Sequence, residues 1–251
     1  MPEGDTIRRT ADGLRARVGG RTVIEAQPHA LARLKGATLE AVEPVGKHLL
    51  MRFSGGWTLH SHMRLTGSWH IYRQAERWLR PARSARAVLD FGEVVAVCFS
   101  APVVELVRDA RPAVERLGPD ILAADLDLDL VVARARAVGS AGVGELLLDQ
   151  RVACGIGNVY RCEALWEVGV DPWLAIAAVP DSRLRELFEV ARAAMLGNLE
   201  SAPGPRRFSG GRRASVHGRR GRPCPRCGGP IASRPQGEQA RWTYWCPVCQ
   251  R

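Results

Sequence analysis

Long apolar runs are missing from this chain of 251 residues. None of its segments approaches the ~20 consecutive apolar residues that a membrane-spanning helix needs. Its first residues also lack the charged-then-apolar pattern of a secretory signal. These two absences argue against a membrane protein and against a secreted protein, so we expect a protein that works in the cytoplasm.

Acidic residues are also in short supply. The 26 aspartates and glutamates are outnumbered by 36 lysines and arginines, which leaves a formal net charge of +10. Such an excess predicts a polyanionic partner, with nucleic acid ahead of a membrane surface. A basic protein without such a partner is the alternative, but the arginines are clustered rather than evenly spread, which favours the first interpretation.

The seven cysteines do not fit a disulfide-bonded secreted protein, because one of them would be left over. Four form two C-x-x-C pairs: Cys224 with Cys227, and Cys246 with Cys249. This spacing is typical of a closed tetrahedral zinc site, whereas a redox pair or a disulfide is disfavoured in the cytosol. We predict one structural Zn²⁺ ion, which a module this small needs to fold, and a two-stranded ribbon over residues 231–245 that orients Arg241.

The start of the chain offers a second chemical feature. If Met1 is removed, Pro2 exposes a secondary amine that can condense with a carbonyl carbon to form an iminium ion, and Glu3 beside it can transfer protons. Apolar residues spaced three and four apart predict a helix over residues 5–18, capped by Asp5 or Thr6. The positive end of this helix would lower the pKa of the amine.

Short strands separated by glycine turns fill residues 21–108 and predict a β-sandwich. The predicted strands are 21–26, 38–42, 48–53, 57–63, 69–72, 87–91, 94–99 and 103–107. Lys47 opens one of them, where a lysine is as readily solvated as functional. His60 and His62 share a face, which suits packing or a phosphate contact better than a metal site. Leu65 lies in a turn and is either buried there or exposed as a wedge for a base stack.

A helical periodicity replaces the strands in the second half of the chain. Helices are predicted over residues 126–138, 144–151, 158–168 and 181–199. Between two of them, Gly155 and Gly157 allow tight turns, and Asn158 can cap a helix start that offers backbone N–H groups to a phosphate. The arginine-rich stretch 202–222 is either a solvated segment or a basic hinge that contacts DNA.

Four of these motifs, in this order, resemble the formamidopyrimidine-DNA glycosylase/endonuclease VIII family of base-excision repair enzymes. They are Met-Pro-Glu-Gly at residues 1–4, Gly-Lys-His-Leu at 46–49, Leu-Asp-Gln at 148–150 with Gly-Ile-Gly-Asn at 155–158, and a finger that runs from Val-His-Gly-Arg at 216–219 to Arg-Trp-Thr-Tyr-Trp-Cys at 241–246. The resemblance covers nearly the whole chain.

The resemblance implies a role for each motif. Pro2 would be the nucleophile, Glu3 its catalytic partner and Lys47 a catalytic lysine, while Arg241 would hold the phosphate at the lesion. Asn158 and Arg219 would contact DNA. Residues 61–67 and 99–101 are more similar to the endonuclease VIII branch, in which one loop, here Arg64, Leu65 and Thr66, supplies the wedge.

The other branch's Asp-Pro-Arg-Arg-Phe run is absent, and the segment before the finger is short, which favours oxidised pyrimidines as substrates. The chain departs from the family at Asp5-Thr6, where a second carboxylate is common.

The fold implied is an α+β multidomain protein: an N-terminal β-sandwich with an N-terminal helix, a helical helix–two-turn–helix domain and a C-terminal zinc-ribbon finger. The domains expected are a catalytic sandwich over residues 1–115, a linker over 116–130, the helix–two-turn–helix domain with the basic hinge over 131–220 and the finger over 221–251.

The activity implied is that of a bifunctional DNA glycosylase and AP lyase that acts as a monomer on damaged double-stranded DNA, without a nucleotide cofactor or a membrane. Two alternatives are a non-catalytic damaged-DNA-binding protein with the same fold and a zinc-ribbon RNA-binding protein. Single-stranded RNA readers usually show more exposed aromatic residues for stacking.

Overall fold

Helix α1, Gly4–Val18, begins the fold. In the computed structural model, which describes residues 2–139, 142–202 and 204–251, Ile7, Leu14 and Val18 form its buried face as their spacing predicts. The predicted cap was wrong: Glu3 occupies the N-cap position with an extended backbone, so Asp5 and Thr6 lie inside the first turn. There the Asp5 carboxylate accepts a hydrogen bond from the Thr6 backbone N–H at 2.7 Å.

Eight strands follow α1 and form two four-stranded antiparallel sheets. They are β1 Glu25–Gln27, β2 Leu39–Val45, β3 His48–Phe53, β4 Trp57–His62, β5 Ser68–Arg73, β6 Ala85–Asp90, β7 Val94–Phe99 and β8 Val103–Val107. One sheet has the order β2-β3-β4-β8 and the other the order β1-β6-β7-β5. Helix α1 packs against strands of both sheets, which confirms the predicted β-sandwich with an N-terminal helix.

Alternation along the strands decides which side chains enter the core. In β3, Leu49, Met51 and Phe53 are buried in the main cluster of the sandwich, because successive side chains of a strand point to opposite faces. The intervening residues of β3 therefore face away from that core, and His48 is one of them. The outer face of this sheet also carries His60 and His62, because β4 pairs His62 with His48 and His60 with Leu50.

The helical part consists of α2 Arg111–Val114, α3 Leu128–Ala137, α4 Val143–Leu146, α5 Asn158–Val168 and α6 Asp181–Glu200. Helices α5 and α6 match their predicted ranges within a residue. Helix α4 is shorter than the predicted 144–151, because the chain turns after Leu146 and Asp149 accepts a hydrogen bond from the Arg151 backbone N–H. Among the described residues, no helix is long and apolar enough to cross a membrane.

The cysteine-containing end forms a hairpin of β9 Ala232–Gln236 and β10 Arg241–Trp245, in register from Trp245 with Ala232 to Arg241 with Gln236. This confirms the predicted ribbon. Its residues share one apolar cluster with α5, in which Cys162 and Trp166 pack against Val216, Ile231 and Cys246. The chain separates into two compact units, residues 1–116 and 117–251, and the finger belongs to the second.

Candidate active site

Pro2 lies directly ahead of the first turn of α1. Its side chain is partly buried, and the following Glu3 is 0% exposed. The Glu3 carbonyl accepts the first helical hydrogen bond, from Ile7 N–H at 3.1 Å. A secondary amine at residue 2 would therefore stand at the positive end of a fifteen-residue helix, which disfavours its protonated form. A buried carboxylate is its neighbour in the chain.

Lys47 lies at the tip of the hairpin that joins β2 to β3. Because Val45 pairs with His48, Gly46 and Lys47 form a two-residue turn. Gly46 has a φ of 56°, as the first position of a type II′ turn requires. Lys47 thus belongs to the turn rather than to the start of the strand, where it was predicted. The turn holds its side chain, which is half-buried, at the edge of the sheet.

Three histidines gather on the outer face of the same sheet, next to this hairpin. The Nδ1 of His48 lies 2.9 Å from the Nε2 of His60, and the ring of His48 meets that of His62 edge-on at 4.7 Å. The Nδ1 of His60 lies 3.6 Å from a carboxylate oxygen of Glu105. Sequence reasoning had paired His60 with His62 but missed His48, which the register of β3 and β4 places opposite His62.

Burial, together with the charges around these rings, keeps them neutral. Burial, then His62, His60 and Lys47, lowers the pKa of His48 to about 3. Burial, then Arg64 and Lys47, lowers the pKa of His62 to about 4. Both rings can therefore accept or donate hydrogen bonds at neutral pH without adding positive charge. In the described part of the chain, three or more metal-ligating side chains converge only at the four cysteines, so the histidines are not identified as a metal site.

The turn between β4 and β5 projects a leucine into solvent. Leu65 is 59% exposed, which contradicts the alternative of a buried turn leucine. Arg64 has a φ of 44°, and the Thr66 hydroxyl donates to the Ser100 carbonyl at 2.9 Å. At Gly67 an added Cβ would lie 2.7 Å from the Met63 backbone. The turn is therefore closed tightly on its inner side and presents residues 64–66 outward.

In the second unit, the start of α5 is tied to the finger hairpin. Gly157, not Asn158, occupies the N-cap position, so the predicted cap was wrong by one residue. The Asn158 side chain donates to the Trp242 carbonyl at 2.9 Å and accepts from the Arg161 guanidinium at 2.6 Å. Arg161 is 0% exposed and was missed in the sequence, since nothing local marks a helical arginine as buried.

Arg241 begins β10 and lines a cavity of about 480 Å³ together with Gln150, Arg161 and Gln239. Its Nε lies 3.3 Å from the Gln239 side-chain oxygen. Arg219 precedes the first cysteine pair in the chain, and its guanidinium donates to the Pro223 carbonyl at 3.0 Å. Both arginines therefore have a hydrogen-bond partner within the second unit.

The stretch before the finger is partly packed and not simply a solvated basic segment. Phe208 packs against the helical core, and the Arg206 guanidinium lies 5.2 Å from the centre of the Tyr160 ring. The Glu163 carboxylate, itself buried, accepts the backbone N–H groups of Ser215, Val216 and His217 at 2.7, 3.0 and 2.8 Å. This carboxylate fixes the path of the chain into the finger.

The four cysteine sulfurs lie within 4.8 Å of one another. Burial opposes ionisation of Cys224, but backbone N–H groups of Cys227 and Arg226 and the Trp166 indole outweigh it and lower the pKa of this thiol to about 6. Burial and the three neighbouring sulfurs raise the pKa of Cys249 to about 12. Four crowded thiolates need a cation between them, so this group fits a metal ion held by Cys224, Cys227, Cys246 and Cys249.

Two family profiles match the chain. The formamidopyrimidine-DNA glycosylase N-terminal domain matches residues 1–102, and the helix–two-turn–helix domain of the same glycosylase matches residues 117–206. Among solved structures, the MutM (Fpg) protein from Thermus thermophilus aligns with a TM-score of 0.80 and 29% identity over 99% of this chain and 98% of that one. The fold and its two profiles therefore agree.

Curated relatives extend the agreement to the full length. A probable endonuclease 8 2 from Streptomyces coelicolor is 40% identical over 100% of this chain and 94% of its own length. A protein of Mycolicibacterium smegmatis named DNA-(apurinic or apyrimidinic site) lyase Nei2 is 35% identical over 100% of this chain and 99% of its own. This chain belongs to the formamidopyrimidine-DNA glycosylase/endonuclease VIII family, on its endonuclease VIII branch.

Proposed function

We propose that this protein is a bifunctional DNA glycosylase and AP lyase of base-excision repair, which removes oxidised pyrimidines from double-stranded DNA in the cytoplasm as a monomer. The observation that carries the proposal is the pairing of Pro2 with the fully buried Glu3 at the start of α1, in a member of this family. Relatives along the full length bear the names endonuclease 8 and AP lyase.

The reaction begins at the nitrogen of Pro2 once Met1 has been removed. The amine attacks C1′ of the damaged nucleoside, the bond from C1′ to the base breaks, and the base leaves with the bonding electron pair and takes up a proton. Glu3 transfers protons as the deoxyribose ring opens. The resulting iminium acidifies the C2′ protons, so loss of one proton expels the 3′ phosphate, and a second elimination expels the 5′ phosphate.

Basic and polar residues hold the DNA during these steps. Lys47 at its hairpin tip and Arg241 on the finger bind phosphates next to the lesion and stabilise the negative charge that develops on them. Asn158 at the start of α5 and Arg219 contact the backbone further along. Arg64, Leu65 and Thr66 fill the space left by the flipped base, and a damaged base pair is less stable and so opens more readily.

The metal ion is Zn²⁺, held by the four cysteines. With four thiolate ligands it has no open position for substrate, so its contribution is structural. The finger then holds β10 in place, and the start of β10 is where Arg241 stands.

Borohydride reduction tests the proposal. With a duplex that contains an abasic site, borohydride should trap a covalent adduct that mass spectrometry locates at residue 2. A Pro2→Gly chain should keep part of the trapping, because glycine still offers an amine. A chain with an uncleavable N-terminal extension should bind the DNA but give no adduct.

The failing result is equally clear. Absence of an adduct from a chain whose Met1 is verified to be removed would overturn the enzyme and leave a damaged-DNA-binding protein. A panel of single-lesion duplexes, scored for cleavage and for phosphate at both ends of the gap, then tests the preference for oxidised pyrimidines and the double elimination.

A further inference from the structure

Residues 73–86, which run from the last residue of β5 to the second residue of β6, carry five arginines and one glutamate, a net charge of +4. We call this segment the arginine loop. All five arginines are exposed, and Leu79 between two of them is 84% exposed. The proposed active site uses none of these residues.

The arginine loop packs against the sheet that contains β5 and β7. Trp78 packs against Tyr72 and Phe99, with ring centres 6.2 and 5.6 Å apart. The Leu79 backbone N–H donates to the Tyr72 hydroxyl at 3.2 Å. These contacts hold the backbone in one path across the outer face of β5 and β7, so its arginines project from a supported segment.

Its arginines differ from others on the same protein in their partners. Arg21, Arg111, Arg183 and Arg185 are exposed or half-exposed and each lies in an ion pair with a carboxylate. Within residues 2–139, which the structure describes without a gap, no ion pair of 4.0 Å or less involves Arg77, Arg80, Arg83 or Arg86. Four exposed guanidinium groups without an ion-pair partner in that range concentrate positive charge on one short segment, which attracts an anion such as a phosphate.

The arginine loop also ends beside residues 64–66, the turn between β4 and β5 that we call the wedge turn. The Ser84 carbonyl accepts a hydrogen bond from the Ser100 backbone N–H at 2.8 Å, and the Ser100 carbonyl accepts from the Thr66 hydroxyl. Strand β6 starts opposite Phe99, which also pairs with Ser68 at the start of β5. The end of the arginine loop and residues 64–66 therefore lie at the same end of the strands of this sheet.

We propose that Arg77, Arg80, Arg83 and Arg86 form a second DNA-binding surface, which grips backbone phosphates of the duplex beside the lesion on the side of the wedge turn. This inference rests on the proposed function for its substrate. Guanidinium groups suit phosphate because their N–H donors match its oxygens in pairs. An acidic protein fits this loop less well, since protein interfaces have an apolar core. The described residues 73–86 offer a single large exposed apolar side chain, Leu79, which is too little for such a core.

The test compares two chains with equal loss of charge. One carries Arg→Gln at residues 77, 80, 83 and 86, and the matched control carries Arg→Gln at the ion-paired residues 21, 111, 183 and 185. Binding to a duplex with a tetrahydrofuran abasic analogue is measured between about 50 and 200 mM salt. Each lost phosphate contact lowers the slope of log K against log salt by about 0.9. We expect the loop variant to lose about two or more units of slope and the control to stay within about half a unit of wild type.

A second measurement separates this inference from the proposed function. Borohydride trapping at low salt with saturating protein should be unchanged in the loop variant, because the loop binds DNA and takes no part in the chemistry. A slope equal to that of the control would overturn the inference, and would leave a loop that is solvated or that binds a protein. Absence of a trapped adduct with the wild-type chain would instead overturn the proposed enzymatic function, and the comparison of salt dependence would still test the DNA-binding surface.

Discussion

Replacing Glu163 with glutamine would remove the charge that fixes the entry into the finger. In the native chain one carboxylate oxygen accepts the Ser215 N–H at 2.7 Å, and the other accepts those of Val216 and His217 at 3.0 and 2.8 Å. A glutamine offers only one accepting oxygen. Turned towards Val216 and His217, it would place its NH₂ group against the N–H of Ser215.

The size of the effect follows from those three contacts. An unsatisfied buried donor is unfavourable by about 1–3 kcal/mol, and hydrogen bonds to a charged group exceed neutral ones by about 1 kcal/mol each. Relief of the buried charge offsets part of this. We expect the docked segment to be destabilised locally by about 2–4 kcal/mol, so the amide of Ser215 should exchange its hydrogen roughly 30- to 1000-fold faster.

Hydrogen exchange followed by mass spectrometry or NMR measures this directly. Glu189→Gln is the matched control, because it removes the same charge from an exposed position of α6. Binding of abasic DNA should weaken in the Glu163 variant as well, since Arg219 follows the loosened segment. Unchanged exchange at residues 215–217 would show that packing around Val216, and not the carboxylate, holds this part of the chain.

Three further outcomes are expected. Chelation of the metal should unfold the finger and change tryptophan fluorescence, because the Trp166 indole donates to the Cys224 sulfur at 3.3 Å. The change should reverse when Zn²⁺ is added back and should be smaller in a Trp166→Phe chain. Fluorescence that is unaffected by verified removal of the metal would contradict this prediction. The folded pKa values of His48 and His62, about 3 and about 4, lie below the ordinary 6.5, so the unfolded chain binds more protons between about pH 4 and 6.5. Urea unfolding should show stability falling with decreasing pH through that window, by up to about 1.4 kcal/mol per pH unit for the His48 ring and by less for the more exposed His62 ring. A His48→Gln chain with the same slope would refute this cause. Lys47→Gln should weaken equilibrium binding of abasic DNA about 10- to 100-fold through loss of a charge-assisted contact. Lys47→Arg should retain most of the wild-type affinity. Wild-type affinity in the glutamine variant would show that Lys47 does not contact the DNA.

The sequence patterns predicted correctly several strands whose limits depend on neighbouring residues. The ranges of β3, β7 and β8 agree with the structure, because each is a short apolar run bounded by turn residues. Strand β7 is buried on both faces, with Ala96 in the main cluster and Val97 in a second one. The first strand does not agree: residues 21–26 were expected, but only Glu25–Gln27 pairs in the sheet. The Val23 N–H bonds instead to the Ala37 carbonyl, a partner that only the folded loop between them brings close.

The candidate site divides in the same way. The cysteine spacing predicted four converging sulfurs, since a C-x-x-C turn places two thiols together. The His48 contact with His60 could not be read locally, because it depends on the register of a hairpin. The burial of Arg161 depends on the Trp242 carbonyl, which lies 81 residues further along the chain, and no nearby residue signals that partner.

The apolar cluster shared by α5 and the hairpin changes what loss of the metal would mean. Trp166 and Cys162 are covered by residues that keep their places only while the cysteine end stays folded. Oxidation of the four cysteine thiols would therefore expose an apolar surface of α5, although α5 itself supplies none of the four metal-binding cysteines. An exposed apolar surface of this kind favours aggregation, so loss of the metal would affect the solubility of the protein as well as the position of Arg241.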